Sequence, residues 1–296
     1  LEQTISKGQQ KTTGSSFERD YLQLFPTAYL QYKATDQHNF GMNYGRRIRR
    51  PNYSSLNPFI RFIDRYTYNK GNPDLRPQLS HQVEMSHSYK NIITTTLNFS
   101  TSTDIIQQIL EQKGQDAYMT LANLATLTQY GLSINANKAL TKWWTSSLFI
   151  NVFHNRFEGM INNEPILISG ARFLLNGTQQ FKITKSFSAE LSGNFRSAGV
   201  QGVLRTEAVW MMNAGISKQV LKNNGTIRLA VRDMFYTRVQ KAFARYANVD
   251  ASFQERDDSR TLTIGFSYRF SKGKTEAQRK RTQGSAGEEQ GRAGMD

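Results

Sequence analysis

The chain is 296 residues long, carries a formal net charge of +15, has no cysteine and contains only short apolar stretches. None of these approaches the roughly 20 apolar residues of a membrane-spanning helix, and the absence of thiols excludes disulfide staples and thiolate metal sites. The charge does not mark a nucleic-acid binder: apart from Arg46, Arg47, Arg49 and Arg50 it is scattered singly, and no basic stripe is interleaved with stacking aromatics.

The chain opens on Leu1 with no basic segment and no apolar run behind it, so a piece whose leader lies upstream is expected. Period-two alternation then recurs along it. Strands are predicted at Tyr21–Lys33, Asn39–Ile48, Leu79–Lys90, Ile92–Gln107, Tyr118–Asn137 and Trp143–Phe157. In the segment from Ala171, Phe173, Leu175, Phe181 and Ile183 oppose Arg172, Asn176, Thr178, Gln180 and Lys182. In the segment from Phe187, Ala189, Leu191 and Phe195 oppose Ser188, Glu190, Ser192, Asn194 and Arg196. Strands at Arg205–Val220 and Thr226–Thr237 follow. In the last and cleanest, Leu262, Ile264, Phe266, Tyr268 and Phe270 share one face. That makes eleven strands, several of them longer than the strands of soluble domains.

The links differ at the two ends. Tyr89-Lys90-Asn91-Ile92, Thr184-Lys185-Ser186 and Leu221-Lys222-Asn223-Asn224-Gly225 are short, the last with an Asn-Gly pair suited to positive φ. The others are longer, and the longest, from Arg49 to Pro77, carries four of the six prolines. Short turns at one end and long loops at the other are the pattern of outer-membrane barrels. Trp143, Trp144, Trp210, Tyr21, Tyr118 and Tyr268 lie near strand ends, where interfacial aromatic belts form. The apolar faces are almost free of charge and the opposing faces are rich in Asn, Gln, Ser and Thr. A lipid-facing wall around a wet lumen has this character, whereas the outer face of a soluble sandwich carries charge. Eleven long strands left open would also aggregate, which favours closure. The predicted fold is all-β, an antiparallel transmembrane β-barrel spanning 1–270. The remaining 26 residues, 271–296, lack alternation and read as a disordered periplasmic tail.

Tyr21-Leu22-Gln23-Leu24-Phe25-Pro26, Tyr44-Gly45-Arg46-Arg47-Ile48-Arg49-Arg50-Pro51, Leu56-Asn57-Pro58-Phe59, Gly71-Asn72-Pro73-Asp74-Leu75-Arg76-Pro77 and Phe266-Ser267-Tyr268-Arg269-Phe270 occur in this order. In this combination the chain resembles the outer-membrane β-barrel proteins of Bacteroidetes related to TonB-dependent receptors. The resemblance implies that these are the last eleven or twelve strands of a larger, 22-stranded barrel, with Leu1–Thr4 the remnant of a preceding outward strand. It implies a plug domain upstream, energising by the TonB complex through that plug, and assembly by the barrel-assembly machinery. Phe266, Tyr268 and Phe270 would serve as the assembly signal, although here the final aromatic is followed by the tail. Outer-membrane lipid and lipopolysaccharide are the implied surroundings, and no cofactor is implied.

The Arg49–Pro77 loop and the arginines before it offer the candidate ligand surface: Arg46, Arg47, Arg49 and Arg50 with Tyr53, Phe59, Tyr66 and Tyr68. Guanidinium forks suit anionic groups and aromatic rings give stacking area. A structural alternative has the arginines neutralising lipopolysaccharide phosphates or plug carboxylates. Asn57-Pro58 and Asn72-Pro73 are read as turn chemistry. Catalysis and metal binding find little support. Of His38, His81, His87 and His154, none shares a strand face with another at i, i+2, and His87–Ser88 and His154–Asn155 point to opposite faces. Import of a nutrient such as a siderophore, glycan or peptide is the leading function. A non-transporting surface barrel and, last, a barrel hydrolase are the alternatives.

Overall fold

A computed structural model describes residues 2–9, 16–63, 65, 67–113, 116–161, 164–246 and 249–270. The elements are β1 (Glu2–Gln9), β2 (Ser16–Gln23), β3 (Thr27–Lys33), β4 (His38–Arg49), the helical turn α1 (Tyr53–Leu56), β5 (Ile60–Phe62), β6 (Thr67–Lys70), β7 (Gln78–Tyr89), β8 (Ile93–Lys113), β9 (Asp116–Ala139), β10 (Trp144–Ile161), β11 (Glu164–Lys182), β12 (Phe187–Arg196), β13 (Gly199–Gln201), β14 (Leu204–Thr206), β15 (Val209–Val220), β16 (Gly225–Arg232), β17 (Val239–Tyr246), β18 (Val249–Arg256) and β19 (Thr261–Tyr268). The 271–296 tail lies outside the described residues.

The wall is a meander in the order β3-β4-β7-β8-β9-β10-β11-β12-β15-β16-β19, eleven strands with antiparallel neighbours throughout. Register confirms the two faces. Met42, Met85, Leu97, Leu132, Val152 and Phe173 are cross-strand partners in one apolar row. Asn39, Ser88, Thr94, Asn135, Phe149, Asn176 and Asn194 form a row of mostly polar partners on the other face. The apolar row stays half exposed because no protein layer covers it, as a lipid-facing surface requires. The polar face is laced by side-chain bonds such as Gln129 Nε2 to Asn155 Oδ1 at 2.9 Å and Asn213 Nδ2 to Ser192 Oγ at 3.3 Å.

The predicted Tyr21–Lys33 strand is interrupted at residues 24–26 around Pro26, which has no N–H to give a ladder. Arg46 N still bonds Pro26 O at 3.0 Å, so the pairing with β4 carries across the break. The stretch expected as a remnant at Leu1–Thr4 is the longer β1, paired with β2; Leu1 itself lies outside the described residues. At the short-turn end Lys90 and Asn91 both have positive φ, 51° and 53°, the signature of a type I′ turn without glycine, closed by Ile92 N donating to Tyr89 O at 2.9 Å. In the last short turn the positive φ values fall on Leu221, Lys222 and Asn223 and not on the Asn-Gly pair, which is a correction to the turn reading.

An aromatic belt lines this end. Trp143, Trp144 and Phe181 stack with centroids 6.1–6.2 Å apart, and Trp144 Nε1 donates to Gln179 Oε1 at 2.8 Å. Toward the other end Trp210 meets Phe235 at 5.7 Å. Tyr118 belongs to neither belt: it stacks on Tyr68 beyond the wall. Tyr21 is described by its backbone alone.

Two features at the long-connection end depart from the predicted strands. The stretch expected as one strand, Arg205–Val220, is divided between β14 and β15, and residues 239–256, read as connection, form β17 and β18. With β13 these make a separate sheet in the order β13-β14-β17-β18. It covers the polar face of β8, β10 and β11 and closes the main hydrophobic core among the described residues: Ile105, Ile109, Phe157, Ile166, Ile168, Val200, Val203, Ala244 and Val249. β8 can contribute because Asp104 (φ 52°) interrupts its pairing between Thr103 and Ile105. Below that point Ser102 is buried, and above it Ile105 and Ile109 are, so the buried phase changes from even to odd.

Candidate functional site

The Arg49–Pro77 connection is not a plain loop. α1 is followed by the β5–β6 hairpin, and β6 pairs in parallel with the first residues of β9, Thr67 opposite Ala117 to Lys70 opposite Thr120. Both Asn-Pro pairs act as turn chemistry: Asn57 Oδ1 accepts from Phe59 N at 3.2 Å and Asn72 Oδ1 from Asp74 N at 2.9 Å. Asn72 also anchors the connection, its Nδ2 donating to Leu121 O at 2.9 Å, with Leu75 fully buried beside it. A Cβ on Gly71 would lie 2.1 Å from Asn57 O, so glycine is required for the two arms to meet.

The candidate side chains separate into groups. Arg46 is a strut: Nη1 donates to Leu24 O at 2.9 Å, Nη2 to Gln23 Oε1 at 2.7 Å, and the guanidinium sits 5.9 Å from the Phe25 ring. Arg47 and Arg49 are exposed on the polar face of β4, and Arg50 follows at its end, half-buried. Tyr53 and Phe59 are 50% and 62% exposed, and Phe59 lines a cavity of about 400 Å³ with Asn57, Arg61, Lys70 and Gln108. Tyr68 is taken up between Phe62 and Tyr118, at 5.0 and 5.3 Å. Tyr66 lies outside the described residues.

The sequence reading missed the second half of this end. The β13–β14 turn folds onto the wall, with Gly202 at φ +61° set against the Gln107 side chain, where any Cβ would clash at 2.3 Å. Val200 is buried against Gly170 on β11. Beneath the turn, Arg172 is 6% exposed and bonds Thr206 Oγ1 through Nη2. Two cavities open here, of about 290 and 260 Å³, and Arg196 and Gln240 line both. Arg238 lines the smaller, while Lys241, Gln107, Gln201 and Glu255 line the larger. The alternation puts Arg172 and Arg196 on the lumen face; their meeting under a folded-in hairpin leaves no sequence signal.

The connection from β16 to β17 is clamped by one carboxylate. Asp233 is fully buried: Oδ1 accepts from Thr237 N at 3.0 Å and Thr237 Oγ1 at 3.3 Å, and Oδ2 from Ser259 Oγ at 2.5 Å and Arg238 N at 3.2 Å. Burial opposes its ionisation, but these donors outweigh it and hold the carboxyl below its ordinary range. Tyr236 (φ 57°) is carried out of this turn between Arg256 and Arg260, 4.4 and 4.8 Å from its ring.

Register shows His38, His81, His87 and His154 sharing strand faces with Phe40, Val83, Met85 and Val152, the apolar side. His38 Nδ1 and His87 Nε2 meet at 3.0 Å, a pairing across β4 and β7 that no same-strand spacing could have revealed. Among the described residues no group of three or more His, Cys, Asp or Glu could hold a metal ion. Phe266 and Tyr268 on β19 and Phe270 just beyond it are exposed, Tyr268 and Phe270 meeting edge-on at 4.7 Å. β19 pairs with β16 on one side, and its other edge has no partner among the described residues.

Comparisons with known proteins agree with this architecture. A search of the curated proteins found no match. The siderophore receptor PirA from Pseudomonas aeruginosa superposes with a TM-score of 0.58 at 13% identity, over 85% of this chain and 42% of that one. A mutant ferric enterobactin receptor, PfeA, from Pseudomonas aeruginosa in complex with enterobactin gives 0.54 at 15% identity, over 85% and 40%. The FrpB iron transporter from Neisseria meningitidis (F3-3 variant) gives 0.54 at 11% identity, over 86% and 40%. The chain thus shares their barrel fold and spans about two fifths of their length. Residues 1–268 match the model of the outer membrane protein beta-barrel family, and the chain belongs to that family.

Proposed function

We propose that this chain is the C-terminal barrel portion of a TonB-dependent importer that captures a nutrient at its long-connection end and passes it through the lumen. The observation that carries the reading is the layer folded onto the polar face. Loops that only decorated a structural barrel would have no need to build a packed sheet over cavities on the lumen side. The solved barrels of like fold are named as siderophore receptors and an iron transporter, which adds to the reading. In it, the long connections face outward and the short turns face the periplasm, the arrangement usual for such barrels. The tail from residue 271 then lies in the periplasm, and a plug upstream of the chain couples the lumen to the TonB complex.

Within this reading Arg47, Arg49, Arg50, Tyr53 and Phe59 contact the ligand from the β4–β7 connection. Arg46 and Tyr68 position it, through the Gln23–Leu24 strut and the Tyr118 stack. Phe266, Tyr268 and Phe270 present the assembly signal to the barrel-assembly machinery. The test is uptake of labelled ferric siderophores, oligosaccharides and peptides by host cells with and without the gene, in strains with and without a working TonB. Import of one class that needs both genes is expected. Surface binding without TonB-dependent uptake of any class would overturn import in favour of a binding barrel.

A further inference from the structure

The wall places two arginines side by side with no acid between them. Arg196 on β12 is the register partner of Leu174 on β11, and Arg172 lies two residues before Leu174 on the same face, so the guanidinium stems are diagonal neighbours. They are close enough for the charge of Arg196 to act on Arg172. Arg172 is nine-tenths buried, and its only polar contact among the described residues is the neutral hydroxyl of Thr206. The Nε atoms of both arginines are buried and have no hydrogen-bond partner. Of the acids nearby, Glu207 pairs with Lys241 at 3.3 Å and Asp257 with Arg238 at 3.2 Å, while Glu255 lines the larger cavity with Arg196 and Lys241 and forms no ion pair among the described residues.

A buried guanidinium beside a half-buried one, with no ion pair to either among the described residues, is costly, and an anion with forked oxygens reduces the cost by pairing with both. Arg196 opens into both cavities and so offers the point of entry. Their volumes, about 290 and 260 Å³, fit a single carboxylate- or phosphate-sized group with a short stem and not an entire drug-sized ligand. Gln201 and Gln240 supply neutral donors around it.

We propose that Arg196, backed by Arg172, seats one oxyanion group, a carboxylate or phosphate, of the imported compound. This rests on the import reading above. A carboxylate of the protein itself, on a segment filling the lumen, has the same chemistry, and the test separates the two sources. The intact protein in detergent is titrated calorimetrically with citrate and with inorganic phosphate at constant ionic strength. Saturable binding of at least one probe is expected, weakened about tenfold or more by Arg196→Gln and by Arg172→Met, the loss of one charge-assisted contact. Arg228→Gln, an inward arginine on β16, should leave it unchanged. Heat-modifiable gel mobility of each variant reports that the barrel is folded.

In parallel, intact protein is treated with an arginine-selective dicarbonyl reagent and the modified residues are mapped by mass spectrometry. Arg196 reactive alone and protected by the probe supports the proposal. Arg196 unreactive without any added anion, but reactive once the lumen-filling segment is deleted, assigns the seat to an internal carboxylate and overturns it. No saturable binding to a folded protein with Arg196 reactive overturns it as well. Oxyanion binding without TonB-dependent uptake would defeat the import reading and leave the seat standing, whereas uptake without oxyanion binding would do the reverse.

Discussion

Leu97, Leu132 and Val152 sit in register in the wall and are 57%, 37% and 44% exposed, whereas Ile105, Ile109 and Phe157, further along β8 and β10, are 5% exposed or less. The residue types are alike and two of the strands are the same. What differs is the covering: lipid for the first group, and for the second the β13-β14-β17-β18 sheet. The wall is therefore held by its ladder and its solvent, and the folded-in layer by an ordinary dry core. The two should fail independently.

The largest effect is expected from removing a ring from the layer's core. Phe157→Ala should cost that layer about 3–5 kcal/mol, seen as faster proteolysis of the 197–208 and 233–260 connections while heat-modifiable mobility of the barrel persists. Loss of mobility together with the layer would merge the two regions into one cooperative unit. Next, Ile150→Arg places a charge on the lipid face between Ile134 and Leu175. About 2–4 kcal/mol should be lost in denaturant titrations of folding into bilayers, and little in a detergent that wets the site.

A middle-sized effect tests the hinge between the regions. Asp233→Ala should cost about 1–3 kcal/mol by stranding the donors Ser259 and Thr237. Because the folded-state carboxyl is held below its ordinary value, its contribution is present in full above the unfolded value near 3.9 and is lost as pH falls through the lower folded one. The thermal midpoints of wild type and variant should differ at neutral pH and converge only well below about pH 4; a constant difference would show that Asp233 acts through packing. The smallest change is expected at the short-turn end, where Lys33 and Asp36 pair at 2.6 Å in full view of water. Lys33→Ala should alter stability by less than about 1 kcal/mol.

The wall was legible because a strand's period is fixed by backbone geometry and a lipid-facing surface tolerates almost no charge. Phe173, Leu175 and Phe181 against Arg172, Asn176 and Gln180 declare both facts at once. The four histidines show the limit of the same method. Each could be placed on a strand, but the His38–His87 contact exists only once the β4–β7 register is known. The loop candidates fared similarly: Arg46 is as basic as Arg47, yet it turns back to Gln23 and Leu24 while Arg47 stays exposed on the other face.

By itself, then, the sequence determined the barrel class, the positions of most wall strands, the two faces wherever the alternation is unbroken, and the difference between short and long ends. These are local properties, set by alternation and turn chemistry over ten residues or so. Only the tertiary structure decided that residues 197–206 and 239–256 form a second layer, that Asp104 reverses the phase of β8, and that Arg172 and Arg196 meet beneath Gly199 and Thr206. Those depend on contacts between segments tens of residues apart, and no period within a single strand carries that information.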